Sequence, residues 1–167
     1  VTQDLVGELL LADPKGRRSG KDPVVKLEYN EIPRSGYGED GVDAPMKELD
    51  IREPLDGSYT MRVIGTRRGS YSLEIHPTDQ AGECPNHPFL DKIPTAPGVV
   101  HAYRLEYTRT RGVPLKVWGG FDGGGETPSD VNKFLSYANP ITAQAMLRAG
   151  TTAFPLIILY GSTINPT

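Results

Sequence analysis

The stretch Asp56-Gly57-Ser58-Tyr59-Thr60-Met61-Arg62-Val63-Ile64-Gly65 runs through Thr66-Arg67-Arg68-Gly69 into Ser70-Tyr71-Ser72-Leu73-Glu74-Ile75. Tyr59, Met61 and Val63 alternate with Thr60, Arg62 and Ile64. Beyond the Gly-bracketed loop, Tyr71, Leu73 and Ile75 alternate with Ser72 and Glu74. Successive side chains of a strand point to opposite faces, so each run predicts a strand with one buried face. Their closeness in sequence predicts that the two pair as a β-hairpin.

Similar runs recur along the chain. Gly7 to Ala12 reads as a strand closed by a turn at Asp13-Pro14-Lys15-Gly16, where Pro fixes φ and Gly accepts a positive one. Val24 to Ile32, Met46 to Ile51, Val99 to Thr108, Pro114 to Phe121, Val131 to Tyr137 and Ala153 to Tyr160 are further strand expectations. The last is apolar on both faces, as a central strand requires. In Val99 to Thr108, Val99, His101, Tyr103, Leu105 and Tyr107 share a face. Gly36 to Pro45 reads as an acidic Gly-rich loop, Thr78 to Gly98 as a Pro-rich connection, and Ala143 to Arg148 as a brief helical turn. The expectation is an all-β chain, an antiparallel β-sandwich of jelly-roll or Ig-like type with about nine short strands. It is read as one module over 1–167, with strand-rich halves at about 1–77 and 99–167 joined by the connection 78–98.

Composition agrees. Gly 19 and Pro 15 among 167 residues punctuate many short elements, while persistent apolar runs argue against disorder. A net charge of −3, with both signs intermixed, argues against a basic nucleic-acid groove or a polybasic membrane patch. Arg17-Arg18, Arg67-Arg68 and Arg109-Thr110-Arg111 read as solvated turn charge. The longest apolar stretch, Phe154 to Tyr160, is too short to span a bilayer. One cysteine, Cys84, excludes an internal disulfide. Val1 with strand-like sequence close behind it reads as the start of a mature, processed or excised piece of a longer chain.

The short motifs are weak. Gly36-Tyr37-Gly38-Glu39-Asp40-Gly41 matches G-x-G-x-x-G, but Pro45 follows instead of a helix and two acidic side chains repel phosphate. Gly16 to Lys21 has the wrong spacing for a phosphate loop, and no G-x-S-x-G elbow occurs. Cys84-Pro85-Asn86-His87 has metal-ligand spacing. A structural zinc needs four ligands, only His76 and His101 remain among imidazoles, and Pro-flanked loop residues are the simpler reading. Glu39, Asp40 and Asp43 could give oxygen ligands to Ca2+; a solvated acidic turn is the competing reading. Leu115 and Val117 point one way, so Lys116 and Trp118 point the other. Trp118 thus reads either as a platform for a sugar ring or as a cap on the core. Tyr37, in the acidic loop, is the other candidate aromatic for ligand binding.

The order of these features resembles a known type. Leu11-Ala12-Asp13-Pro14-Lys15-Gly16-Arg17-Arg18-Ser19-Gly20, Asn30-Glu31-Ile32-Pro33, Pro54-Leu55-Asp56-Gly57-Ser58-Tyr59-Thr60 and Gly-Ser-Tyr-Ser-Leu-Glu-Ile (69–75) are similar to accessory β-sandwich modules of exported bacterial proteins, akin to the pre-peptidase C-terminal type. The match spans roughly residues 5 to 76. The resemblance implies a secreted or cell-surface, non-catalytic module in a longer parent chain, contacting calcium, a polysaccharide or another surface ligand. A spacer or adhesion module without a small ligand is the alternative. A glycan-active hydrolase is a third reading, for which no nucleophile–base motif is present.

Overall fold

A computed structural model describes residues 5–40, 46–119 and 155–163. Among these, eleven strands and no helix occur: β1 (Gly7–Ala12), β2 (Arg18–Asp22), β3 (Leu27–Asn30), β4 (Ser35–Asp40), β5 (Met46–Arg52), β6 (Gly57–Gly65), β7 (Gly69–Pro77), β8 (Phe89–Thr95), β9 (Val100–Tyr107), β10 (Lys116–Gly119) and β11 (Pro155–Thr163). They form two antiparallel sheets. One has the order β10-β9-β6-β1-β2-β3, the other β4-β5-β11-β7-β8. The fold is all-β and sandwich-like.

The alternation in the decisive stretch is realised, but its two strands do not pair. β6 lies between β1 and β9 in the six-stranded sheet, with Met61 opposite Leu11 and Tyr103. β7 lies in the other sheet, between β11 and β8. The loop between them is a corner from sheet to sheet: Thr66 and Arg67 donate their backbone N–H groups to the Val6 carbonyl, and Gly65 N–H bonds to the Val99 carbonyl. Alternation fixes which side chains must leave water. It does not fix the neighbour. Tyr59, Met61, Val63, Tyr71, Leu73 and Ile75 are all buried, facing one another across the core instead of lying side by side.

Leu9 and Leu11 of β1, Tyr103, Leu105 and Tyr107 of β9, and Leu49 and Ile51 of β5 complete that core. A polar contact lies inside it. The Tyr71 hydroxyl, from one sheet, is 2.7 Å from His101 Nδ1 and 2.6 Å from the Tyr103 hydroxyl, both from the other. Burial pushes the Tyr103 phenol up to about 12, which keeps it protonated as a hydrogen-bonding group.

Three strands lie where turns or connections were expected. β2 carries little apolar signal, and Gly20 within it, at φ +109, lets the β1 backbone approach where a Cβ would strike the Leu9 carbonyl. β4 takes in Gly36 to Asp40, read above as loop. β8 lies in the Pro-rich segment and is an edge strand, where Pro94 costs no interior hydrogen bond. Conversely, residues 23–26 form a turn, so the strand expected from Val24 begins at Leu27. β11 takes the central position expected of it, between β5 and β7. The expectations over Val131–Tyr137 and Ala143–Arg148 lie outside the described residues.

The sheets are also joined by a charged cluster. Glu8 of β1 accepts a 2.5 Å hydrogen bond from the Tyr37 hydroxyl and pairs with Lys47 Nζ at 3.0 Å and Lys21 Nζ at 3.1 Å. Lys47 also meets Glu39 at 2.7 Å. Burial alone would raise the Glu8 carboxyl, but the hydrogen bonds from Tyr37 and Lys47, the Lys47 charge and Lys21 outweigh it and hold it below the usual carboxylate range. Burial likewise opposes the Lys47 charge, and Glu39 and Glu8 together overcome it and hold the ammonium above its ordinary value.

Candidate functional site

The outer face of the six-stranded sheet follows from the register. Trp118 lies opposite Arg104, Arg104 opposite Thr60, Thr60 opposite Ala12 and Ala12 opposite Arg18. A second row runs Ala102, Arg62, Leu10, Gly20, Tyr29. Because Leu9, Leu11, Met61, Tyr103 and Leu105 face the core, these rows face away from it. Ala102, Arg104, Thr60 and Arg62 are exposed, while Leu10 and Gly20 of the second row are buried.

Each edge of this face carries an aromatic ring beside a guanidinium. Arg104 Cζ lies 5.7 Å from the centroid of half-buried Trp118. Arg18 Cζ lies 3.9 Å from the centroid of half-buried Tyr29. Such contacts are worth about 0.5–1 kcal/mol at exposed sites and favour a cation placed over the ring face. The guanidinium groups are themselves positioned. Arg104 donates to Glu106 at 2.7 Å and to the Ser58 hydroxyl at 3.1 Å, and Arg18 pairs with Glu31 at 2.8 Å. The Arg104 hydrogen bond holds the Glu106 carboxyl below its ordinary value. Half-buried rings with hydroxyl and guanidinium groups between them can stack on an apolar face of a ligand and hydrogen-bond its hydroxyl or acidic groups.

Of the residues expected to act, Trp118 lies on this face, and Leu115 and Val117 point to the core as the alternation requires. Tyr37 does not join it. It is on β4, packed against the core with its hydroxyl bonded to Glu8 and accepting the Leu9 N–H. Tyr29 was missed, although Leu27 and Tyr29 alternate with Glu28 and Asn30; a strand drawn from Val24 gave no reason to single it out. For the calcium reading, Glu39 lies on a strand with its carboxylate engaged by Lys47. Asp40 is opposite Met46 in the β4–β5 register, and Asp43 lies outside the described residues. Cys84 and His87 are indeed in a Pro-flanked connection, yet the fold brings His76 to them. His101 is in the core.

No family model, curated protein or solved structure matches the chain. The likeness to accessory modules of exported proteins therefore stands on the sequence motifs alone. Among the described residues, no helix is long and apolar enough to cross a membrane.

Proposed function

We propose that this chain is a non-catalytic β-sandwich module that binds a polysaccharide on the outer face of its six-stranded sheet. The observation that carries the reading is Trp118, half-exposed on that face and held beside Arg104. Tyr29 beside Arg18 offers a second ring at the opposite edge, about 24 Å away across five strand spacings. That separation suits an extended chain better than one small sugar. The motif resemblance supports the further reading of an exported module working for an attached enzyme or surface protein.

Affinity electrophoresis through gels containing neutral or acidic glycans, with pull-down on insoluble ones, tests this. Retardation of the native chain on at least one glycan, lost in Trp118→Ala and weakened in Tyr29→Ala, is the expected result. Equal mobility on every glycan defeats the proposal and favours the spacer reading, more so if a neutral quencher fails to reach the Trp118 fluorescence.

A further inference from the structure

The β7–β8 connection leaves the five-stranded sheet and is hydrogen-bonded at two points, Asp79 and Asn86, to the β9–β10 connection of the other sheet. Asp79 accepts backbone N–H bonds from Ala81 at 2.8 Å, Glu83 at 3.1 Å and Gly112 at 2.9 Å. Asn86 clamps the other end: its side chain donates to the Leu115 carbonyl at 2.9 Å and accepts the Leu115 N–H at 2.8 Å. Cys84 lies between these two anchors, and His87 directly follows Asn86. Beneath it, on β7, is His76, only 9% exposed.

His76, Cys84 and His87 each bring one donor atom to a common point, all within 4.8 Å of one another. The two imidazole rings have centroids 4.9 Å apart. His76 Nε2 is buried and has no well-aligned hydrogen-bond partner; the Glu74 Oε1 beside it, at 3.2 Å, is its nearest acceptor. A buried nitrogen without a hydrogen bond is costly unless something else occupies its lone pair. From these contacts we infer that His76, Cys84 and His87 form a binding site for one zinc ion.

The donor set selects the metal. One thiolate and two imidazoles are borderline-soft ligands that suit zinc and disfavour calcium, whose shell is built of oxygens. Bonds of about 2.0 Å to nitrogen and 2.3 Å to sulfur at a tetrahedral angle place ligand atoms roughly 3.3–3.6 Å apart. Closing the cluster to that size brings its farthest donor atoms roughly 1.2–1.5 Å nearer one another. The fourth position is open to the neighbouring Glu74 carboxylate or to water. Bound there, the ion ties the long connection to β7. His76 and Trp118 lie on different sheets, and the metal titration reads this site without reference to glycan binding.

The chain has one cysteine and three histidines, which makes the test specific. The metal-free, reduced protein is titrated with Co2+ and then with Zn2+. One Co2+ per chain should bind with a thiolate-to-cobalt charge-transfer band and the intense visible bands of a tetrahedral site, and one equivalent of Zn2+ should displace it. Cys84→Ser should abolish the charge-transfer band. His87→Gln, at an exposed position, should weaken Zn2+ binding about tenfold or more with the far-ultraviolet circular dichroism unchanged. Absence of the band in the native chain at several equivalents of Co2+ would overturn the inference. So would Zn2+ affinity that is the same in the native chain, Cys84→Ser and His87→Gln.

Discussion

Replacing Lys47 by Met separates the charged cluster from the core beside it. The Lys47 side chain is 8% exposed and its partner Glu8 11%, so the Glu8–Lys47 pair is close to a buried salt bridge. Removing one member of such a pair costs about 3–5 kcal/mol, because the other charge stays buried. Two features reduce that figure. Glu39, 65% exposed, rehydrates when Lys47 leaves, and that arm is worth about 0–1 kcal/mol. Glu8 keeps Tyr37 and Lys21, so the net loss should be about 2–4 kcal/mol. At ~2–4 °C per kcal/mol for a domain of this size, the melting temperature should fall by roughly 5–15 °C. A thermal and urea-unfolding cycle with Glu8→Gln measures the pair directly, and the coupling should be about 1.5–3 kcal/mol. The pH dependence has a definite sign. The folded Glu8 carboxyl is held below its unfolded value, so its contribution is present above about pH 4.3 and fades as pH falls through the lower folded value. The Lys47 ammonium is held above its ordinary value, so its contribution persists up to about pH 10 and fades as pH rises through the higher folded value. The gap between native chain and variant should therefore be flat between about pH 5 and 9 and close in acid. A cost below about 1 kcal/mol, or a coupling within ~0.5 kcal/mol of zero, would refute the reasoning.

Tyr71→Phe deletes the hydroxyl shared by His101 and Tyr103 between the sheets; chemical denaturation should show a loss of about 1–3 kcal/mol with no change in far-ultraviolet circular dichroism. If stability is unchanged, that contact contributes nothing to holding the sheets together. Asp79→Ala removes the acceptor for the Ala81, Glu83 and Gly112 amides, so hydrogen exchange at those three should accelerate while β6 amides keep their protection. Uniform acceleration would instead mean that Asp79 supports the whole fold. Met61→Ala, at a fully buried position in the centre of the six-stranded sheet, should cost about 2–5 kcal/mol in urea unfolding; a cost under 1 kcal/mol would argue that the core is not closed there.

The inward set of β6, β7 and β9 was legible because alternation is local: Tyr59, Met61, Val63, Tyr71, Leu73, Ile75, Tyr103 and Leu105 announce their own faces. The same rule placed Trp118 on the face away from Leu115 and Val117, so part of the candidate site was legible too. β2 and β4 were not. Arg18-Ser19-Gly20-Lys21-Asp22 has no apolar alternation, and its strand exists because Gly20 lets it approach β1. In Gly36-Tyr37-Gly38 a single inward aromatic, flanked by glycines, is indistinguishable from a turn. Tyr29 and His76 acquire meaning only from the residues that the fold sets beside them, Arg18 in one case and Cys84 with His87 in the other.

The sequence by itself determined the class of structure and which side chains of its strongest strands are buried, since both follow from a period of two and from turn chemistry. Tertiary structure decided the partners. A pattern of alternating residues is satisfied equally by a neighbour in the same sheet or by a facing sheet. Competition among all the strands sends Asp56–Gly65 and Gly69–Ile75 to opposite sides of the core. That separation leaves two distinct outer faces, one carrying Trp118 and Tyr29, the other gathering His76, Cys84 and His87.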